Sequence, residues 1–181
     1  MRDFIKIIYV SCIVAVMAFV VIGCGVRRAN DDITEYTAEE YSLSYCKDSF
    51  KVFEGTDSNS VTFSYCNEGV EPAGSNVLTF YAVKDIGPRE LLEKKIESLG
   101  LNISGIREVR LAATPEICWH YVQSGSSVES GLTTSQIFYA IPCGNDTILV
   151  DGFRTIGPDE GTETSIDADF EYIMDTLTLN N

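Results

Sequence analysis

Val77-Leu78-Thr79-Phe80-Tyr81-Ala82-Val83-Lys84-Asp85-Ile86-Gly87-Pro88-Arg89-Glu90-Leu91-Leu92-Glu93-Lys94-Lys95-Ile96-Glu97-Ser98-Leu99-Gly100 changes its periodicity halfway along. The first seven residues are apolar, aromatic or Thr, the composition of a β-strand. From Pro88 onward Leu91, Leu92, Ile96 and Leu99 recur at helical spacing. Proline fits the first turn of a helix and Gly100 suits the position just past its end. A strand followed by a helix over Pro88–Leu99 is therefore predicted, with Leu92, Ile96 and Leu99 turned toward a core.

Working outward, Tyr41-Ser42-Leu43-Ser44-Tyr45 and Val61-Thr62-Phe63-Ser64-Tyr65 alternate as half-buried strands do, and Phe50–Phe53 is a short strand between them. Beyond the helix, Ile106–Leu111, Ile117–Val122, Gln136–Ile141 and Thr147–Phe153 read as strands, and the Ser- and Gly-rich Gln123–Ser135 stretch as a loop. Pro142 is expected to end its strand. A last helix over about Ile166–Asp175 carries Phe170, Ile173 and Met174, and Leu177–Leu179 follows as an edge strand. Strands in runs, with two well-separated helices and no βαβ alternation, predict an α+β fold. It is mainly an antiparallel sheet flanked by two principal helices.

The order of these segments resembles the PsbP-like fold found in a group of bacterial surface lipoproteins. The segments that carry it are Tyr41–Tyr45 with Phe50–Phe53, Val61–Tyr65, and the Ala73-Gly74-Ser75-Asn76 turn into Val77–Val83. The helix Pro88–Leu99 and the closing Phe170–Leu179 complete it. The resemblance implies a central antiparallel sheet between helices, a PsbP-like sandwich, and no shared activity.

The N-terminus carries an address. Arg2 and Lys6 precede an apolar run from Ile7 to Ile22, shorter than the roughly 20 residues that span a bilayer. It ends in Val21-Ile22-Gly23-Cys24, which resembles the lipobox of bacterial lipoproteins. That likeness implies a diacylglyceryl group on the Cys24 thiol and cleavage before it, with Cys12 lost in the removed signal. Two alternatives stay open. Gly23-Cys24-Gly25 also suits a small-x-small cut that would release a secreted protein, and Ile7 to Val26 is a candidate uncleaved anchor, with Arg27 and Arg28 just beyond it. The expected organisation is a signal over residues 1–23, an acidic flexible tether over 24–39, and one α+β domain over 40–181.

Formal net charge is −14. Residues 1–23 contribute Arg2, Lys6 and Asp3, so the remainder is more acidic than the total. Such a surface repels phosphate backbones, which argues against nucleic acid as a partner.

Candidate chemistry is sparse. Cys46, Cys66, Cys118 and Cys143 are an even number in a chain read as exported, and four cysteines allow three connectivities. Candidate strand neighbours favour the bridges Cys46–Cys66 and Cys118–Cys143; four buried free thiols are the alternative. His120, the one histidine, shares a strand face with Cys118 and Val122, while Trp119 and Tyr121 face the other way. The pair invites a thiol-nucleophile reading, which fails if Cys118 is oxidised. No nucleophile elbow, phosphate-binding loop or CxxC spacing is present in the sequence. Asp159, Glu160, Glu163, Asp167, Asp169 and Glu171 lack calcium-loop spacing and suit the start of a helix instead. Phe50, Phe53, Phe63, Tyr65, Phe80 and Tyr81 read as core rather than as a sugar-stacking platform.

No cofactor and no metal is predicted. The expected protein is a non-enzymatic binding domain, lipid-anchored through Cys24 on the outer face of a bacterial cytoplasmic membrane, with an unspecified protein or small molecule as partner. The alternatives are a surface enzyme using a thiol or carboxylate, and an accessory subunit of an envelope complex.

Overall fold

The computed structural model describes residues 32–55, 59–66, 76–126, 131–156 and 160–180, with the backbone alone described at 156 and 160–165. Strand alternation builds most of it. β1 (Ile33–Thr37), β2 (Tyr41–Cys46) and β10 (Thr178–Leu179) form a three-stranded sheet in the order β1-β2-β10. The larger sheet has the order β3-β4-β5-β9-β8-β7-β6. Its strands are β3 (Phe50–Glu54), β4 (Ser60–Tyr65), β5 (Val77–Val83), β6 (Arg107–Val109), β7 (Cys118–Ser126), β8 (Thr133–Cys143) and β9 (Asp146–Ile156). Every pairing is antiparallel. With α1 (Pro88–Ser98) and α2 (Glu160–Thr176), this is an α+β sandwich.

The two faces of the large sheet build separate cores. On one, α1 sets Leu92 and Ile96 against Tyr121, Phe138, Ala140 and Leu149. Both helix residues are fully buried, which stabilises by about 1.5–3 kcal/mol per side chain. On the other, Val61, Phe63, Leu78, Phe80, Ile141, Ile148 and Val150 meet Tyr41 and Leu43 of β2 and Ile166, Phe170, Ile173 and Met174 of α2. Phe63 sits among aromatic rings, with centroids 5.7 Å from Tyr36, 5.2 Å from Tyr45, 6.4 Å from Phe50 and 5.8 Å from Phe80. Gly152 lies in β9 beneath Leu78; an added Cβ would come within 2.9 Å of Leu78 Cδ2. The glycine lets that leucine lie across the strand.

α1 closes as its sequence foretells. Pro88 stands in its first turn. Gly100 takes φ +71 past its end, so that the Gly100 N–H reaches the Glu97 carbonyl at 2.9 Å and the Leu101 N–H reaches that of Ile96 at 3.1 Å. This paired closure satisfies carbonyls that the last turn leaves open. It also carries Leu99 out of the core, where it is 43% exposed, contrary to the burial expected from its spacing.

Other boundaries shift for identifiable reasons. A strand precedes residue 40, where the domain was expected to begin: Ile33–Thr37 pairs with β2 inside the stretch read as tether. Its inward positions are Thr34 and Tyr36, an alternation with one large apolar member. β7 and β8 run far into the stretch expected to be loop, and hydroxyl pairs line the hairpin: Ser124 Oγ lies 2.8 Å from Ser135 Oγ, and Ser126 Oγ lies 3.4 Å from Thr133 Oγ1. β8 also passes through Pro142, which pairs with Thr147 of β9. The β7 ladder ends at Ala140, so at Pro142 the strand has one ladder partner and the missing donor is tolerated.

Candidate functional site

The strand that carries Cys118 and His120 divides its side chains as alternation requires. Trp119 and Tyr121 join the α1 core, and Cys118 joins the core on the α2 side. His120 is half-buried and stacks on Tyr139 of β8, its directly opposed ladder partner, with ring centroids 4.5 Å apart and planes inclined by 24°. Further along this face Arg154 of β9 pairs with Asp167 of α2, while its Nε has no hydrogen-bond partner among the described residues. Tyr139, Arg154 and the Ser124–Ser135 pair are the polar members of this surface that sequence reasoning did not single out. Register supplies them, and the sequence does not display it.

The electrostatics of the Cys118–His120 pair run against catalysis. A thiol–imidazole dyad works as an ion pair, in which each charge favours the other and the thiol pKa falls. Here burial pushes the Cys118 thiol up to about 11, against a backbone hydrogen bond from Leu111 and with a smaller upward push from Glu116. Burial also lowers the pKa of His120. Both groups are held neutral. Tyr139 is raised too, first by burial and then by the Glu171 carboxylate.

This makes stability depend on pH in a calculable direction. The folded-state pKa of His120 lies below the ordinary 6.5, so the unfolded chain takes up the proton first as pH falls. The stabilisation is present above about pH 6.5 and is lost as pH falls through the folded value. His120→Gln should therefore lose less melting temperature between about pH 7 and pH 5 than the parent does. Parallel curves for the two proteins would show that His120 plays no part.

The other candidate residues lie on several elements. Cys46, Cys66, Cys118 and Cys143 are free thiols in this structure, so neither Cys46–Cys66 nor Cys118–Cys143 is joined in it. Extending the ladder by one step from Trp119↔Ala140 sets Cys118 opposite Ile141, which leaves Cys143 two residues beyond on the same face. Cys143 Sγ instead lies 3.6 Å from the Glu40 carbonyl oxygen. Ser49 stands between the other two cysteines, donating its N–H to the Cys46 carbonyl at 3.1 Å and accepting from the Cys66 N–H at 2.8 Å.

Of the acidic run, Asp167 is engaged by Arg154 and Glu171 acts on Tyr139. Asp159 and the side chains of Glu160 and Glu163 lie outside the described residues, as does Cys24. Among the described residues no group of three or more His, Cys, Asp or Glu side chains is placed to hold a metal ion. The aromatic residues split: Phe50, Phe63, Tyr65 and Phe80 are buried, whereas Phe53 is 56% exposed on the outermost strand of the large sheet.

An antiparallel sheet packed between α1 on one side and α2 with a small second sheet on the other defines the architecture. No protein-family model matches the chain, and no curated protein matches it. Among solved structures, the Ran-binding protein Mog1p of Saccharomyces cerevisiae matches 83% of this chain and 96% of its own, at 7% identity and a TM-score of 0.52. LpqN of Mycobacterium tuberculosis, described as involved in cell envelope biogenesis, matches 83% of this chain and 93% of its own, at 17% identity and a TM-score of 0.49. A protein of Bacteroides thetaiotaomicron matches 81% of this chain at 13% identity and a TM-score of 0.48, and the chain spans 48% of that protein's length. The likeness to Mog1p shows the fold alone, a fold that PsbP-like domains share.

Proposed function

We propose that this protein is a lipid-anchored extracytoplasmic binding domain, held to the outer face of a bacterial cytoplasmic membrane through Cys24. The observation that carries the reading is the basic start, the apolar run and the Val21-Ile22-Gly23-Cys24 tetrad that ends it. Among the described residues no helix is long and apolar enough to cross a membrane. The binding role rests on the half-buried His120, which stacks on Tyr139 with ring centroids 4.5 Å apart. The partner is a protein or small molecule, and the acidic surface disfavours nucleic acid.

Cys24→Ala decides the anchoring. The parent should fractionate with membranes and its N-terminal peptide should carry a diacylglyceryl mass, because one acyl chain alone binds membranes only marginally. The variant should appear in the medium or accumulate unprocessed. A mature parent chain beginning at Val26 without lipid would sink the proposal.

A further inference from the structure

The two sheets end in strands that differ in how they meet solvent. An open strand edge offers unpaired N–H and C=O groups, and proteins usually guard it with charge, proline or shortness. β3 carries Lys51 and Glu54, β1 carries Glu35, β10 has two residues, and β6 has three, including Arg107 and Glu108. β7 is the exception. β6 covers only Cys118, Trp119 and His120, whereas β8 pairs with β7 as far as Ser126. The chain leaves the line of β6 at the 3-10 turn Ile103–Gly105. There the ring of Tyr121 packs so closely that a Cβ on Gly105 would lie 2.5 Å from its Cε2. Beyond that point Val122-Gln123-Ser124-Gly125-Ser126 is exposed throughout and has no second ladder among the described residues. It contains no charge and no proline, and Val122 is 45% exposed.

We propose that this free edge of β7 is an interaction surface for a second copy of the same chain, the two strips pairing antiparallel about a two-fold axis. The choice of occupant follows from hydrogen bonding and charge. An antiparallel edge set against its own copy is self-complementary, because each contact from one chain recurs from the other. A chain of net charge −14 is repelled by its copy, and Val122–Ser126 is a strip that it can present to itself without opposing like charges. The pairing covers the exposed Val122 side chain and joins two seven-stranded sheets into one. It does not depend on the lipid anchor, although two copies on one membrane would meet at a raised effective concentration.

The salt dependence gives a signature. Screening weakens repulsion between the two acidic bodies and leaves short-range backbone bonds little changed, so self-association should tighten as salt rises. The full chain in mild detergent should sediment as a monomer–dimer mixture that moves toward dimer between about 0.05 M and about 0.5 M NaCl. Val122→Glu sets carboxylates into the paired strip and should weaken dimerisation roughly tenfold, at an exposed position where the melting temperature is preserved. Phe53→Ser on the opposite edge should dimerise as the parent does. In the dimer, hydrogen exchange at the Val122–Ser126 amides should slow relative to Val122→Glu. A parent that stays monomeric at every concentration and salt overturns the proposal. So does a Val122→Glu chain that associates as tightly as the parent, or association that weakens with salt.

Discussion

Ile96→Asp is expected to lower the unfolding free energy by at least about 3 kcal/mol, enough to empty much of the folded population of an ordinary domain. Ile96 is fully buried between α1 and the sheet, among Leu92, Tyr121, Phe138, Ala140 and Leu149. A carboxylate there finds no hydrogen-bond donor on those side chains except the Tyr121 hydroxyl. It must either stay charged in an apolar site or take up a proton at a raised pKa. Ile96→Val keeps the shape and should cost only about 0.5–1.5 kcal/mol. Chemical denaturation of both variants checks the pair. If Ile96→Asp unfolds at the denaturant concentration of the parent, α1 is not docked on the sheet in solution.

Phe63→Ala tests the opposite face and should cost about 3–5 kcal/mol. The ring is fully buried and meets four other rings drawn from both sheets: Tyr36 and Tyr45 from the small one, Phe50 and Phe80 from the large. Its removal leaves a cavity bounded by large side chains anchored on separate strands, which cannot all move in to fill it. For a domain of this size the melting temperature should fall on the order of 10 °C. Phe53→Ala, at an exposed ring ten residues earlier in the chain, should leave it within about 2 °C. Equal losses for the two would mean that β3 and β4 are not registered as the ladder has them.

The contrast between these phenylalanines shows where the sequence was legible. Val61–Tyr65 alternates in sequence and Val77–Val83 is apolar, aromatic or Thr throughout, because one face of each is deep core, and Leu92 and Ile96 repeat at helical spacing for the same reason. Those segments are enough to read an α+β fold. Segments whose burial is shallow left weaker marks. Ile33–Thr37 has Tyr36 as its single large inward residue and reads as tether. The outer half of the β7–β8 hairpin is built from Ser, Thr, Gly and Gln, so its strand character rests on cross-strand hydroxyl pairs that have no periodic hydrophobic trace. Leu99 fits the helical stripe, yet the glycine-led closure one residue later swings it outward.

The candidate site was less legible, because it depends on register. The sequence placed Cys118, His120 and Val122 on one face correctly, and the alternation of a single strand suffices for that. It did not reveal that His120 stacks on Tyr139, or that Cys143 sits two residues beyond the position opposite Cys118. A pairing offset changes no residue in either strand and changes every cross-strand neighbour.

β10 has a consequence for the order in which the domain is made. Thr178 and Leu179 pair with Ser42 and Tyr41, Ser42 Oγ lies 2.7 Å from Thr178 Oγ1 across 136 residues of sequence, and the Asn180 side chain donates to the Ala38 carbonyl at 3.0 Å. β2 therefore waits for one of its two neighbours until nearly all of the described chain has emerged. The three-stranded sheet cannot be completed early, since closing so long a loop is rewarded only once the distant segment arrives, whereas every strand of the seven-stranded sheet precedes it in the chain. The small sheet is thus completed only when the last described segment arrives, and its closure comes late in the making of the domain.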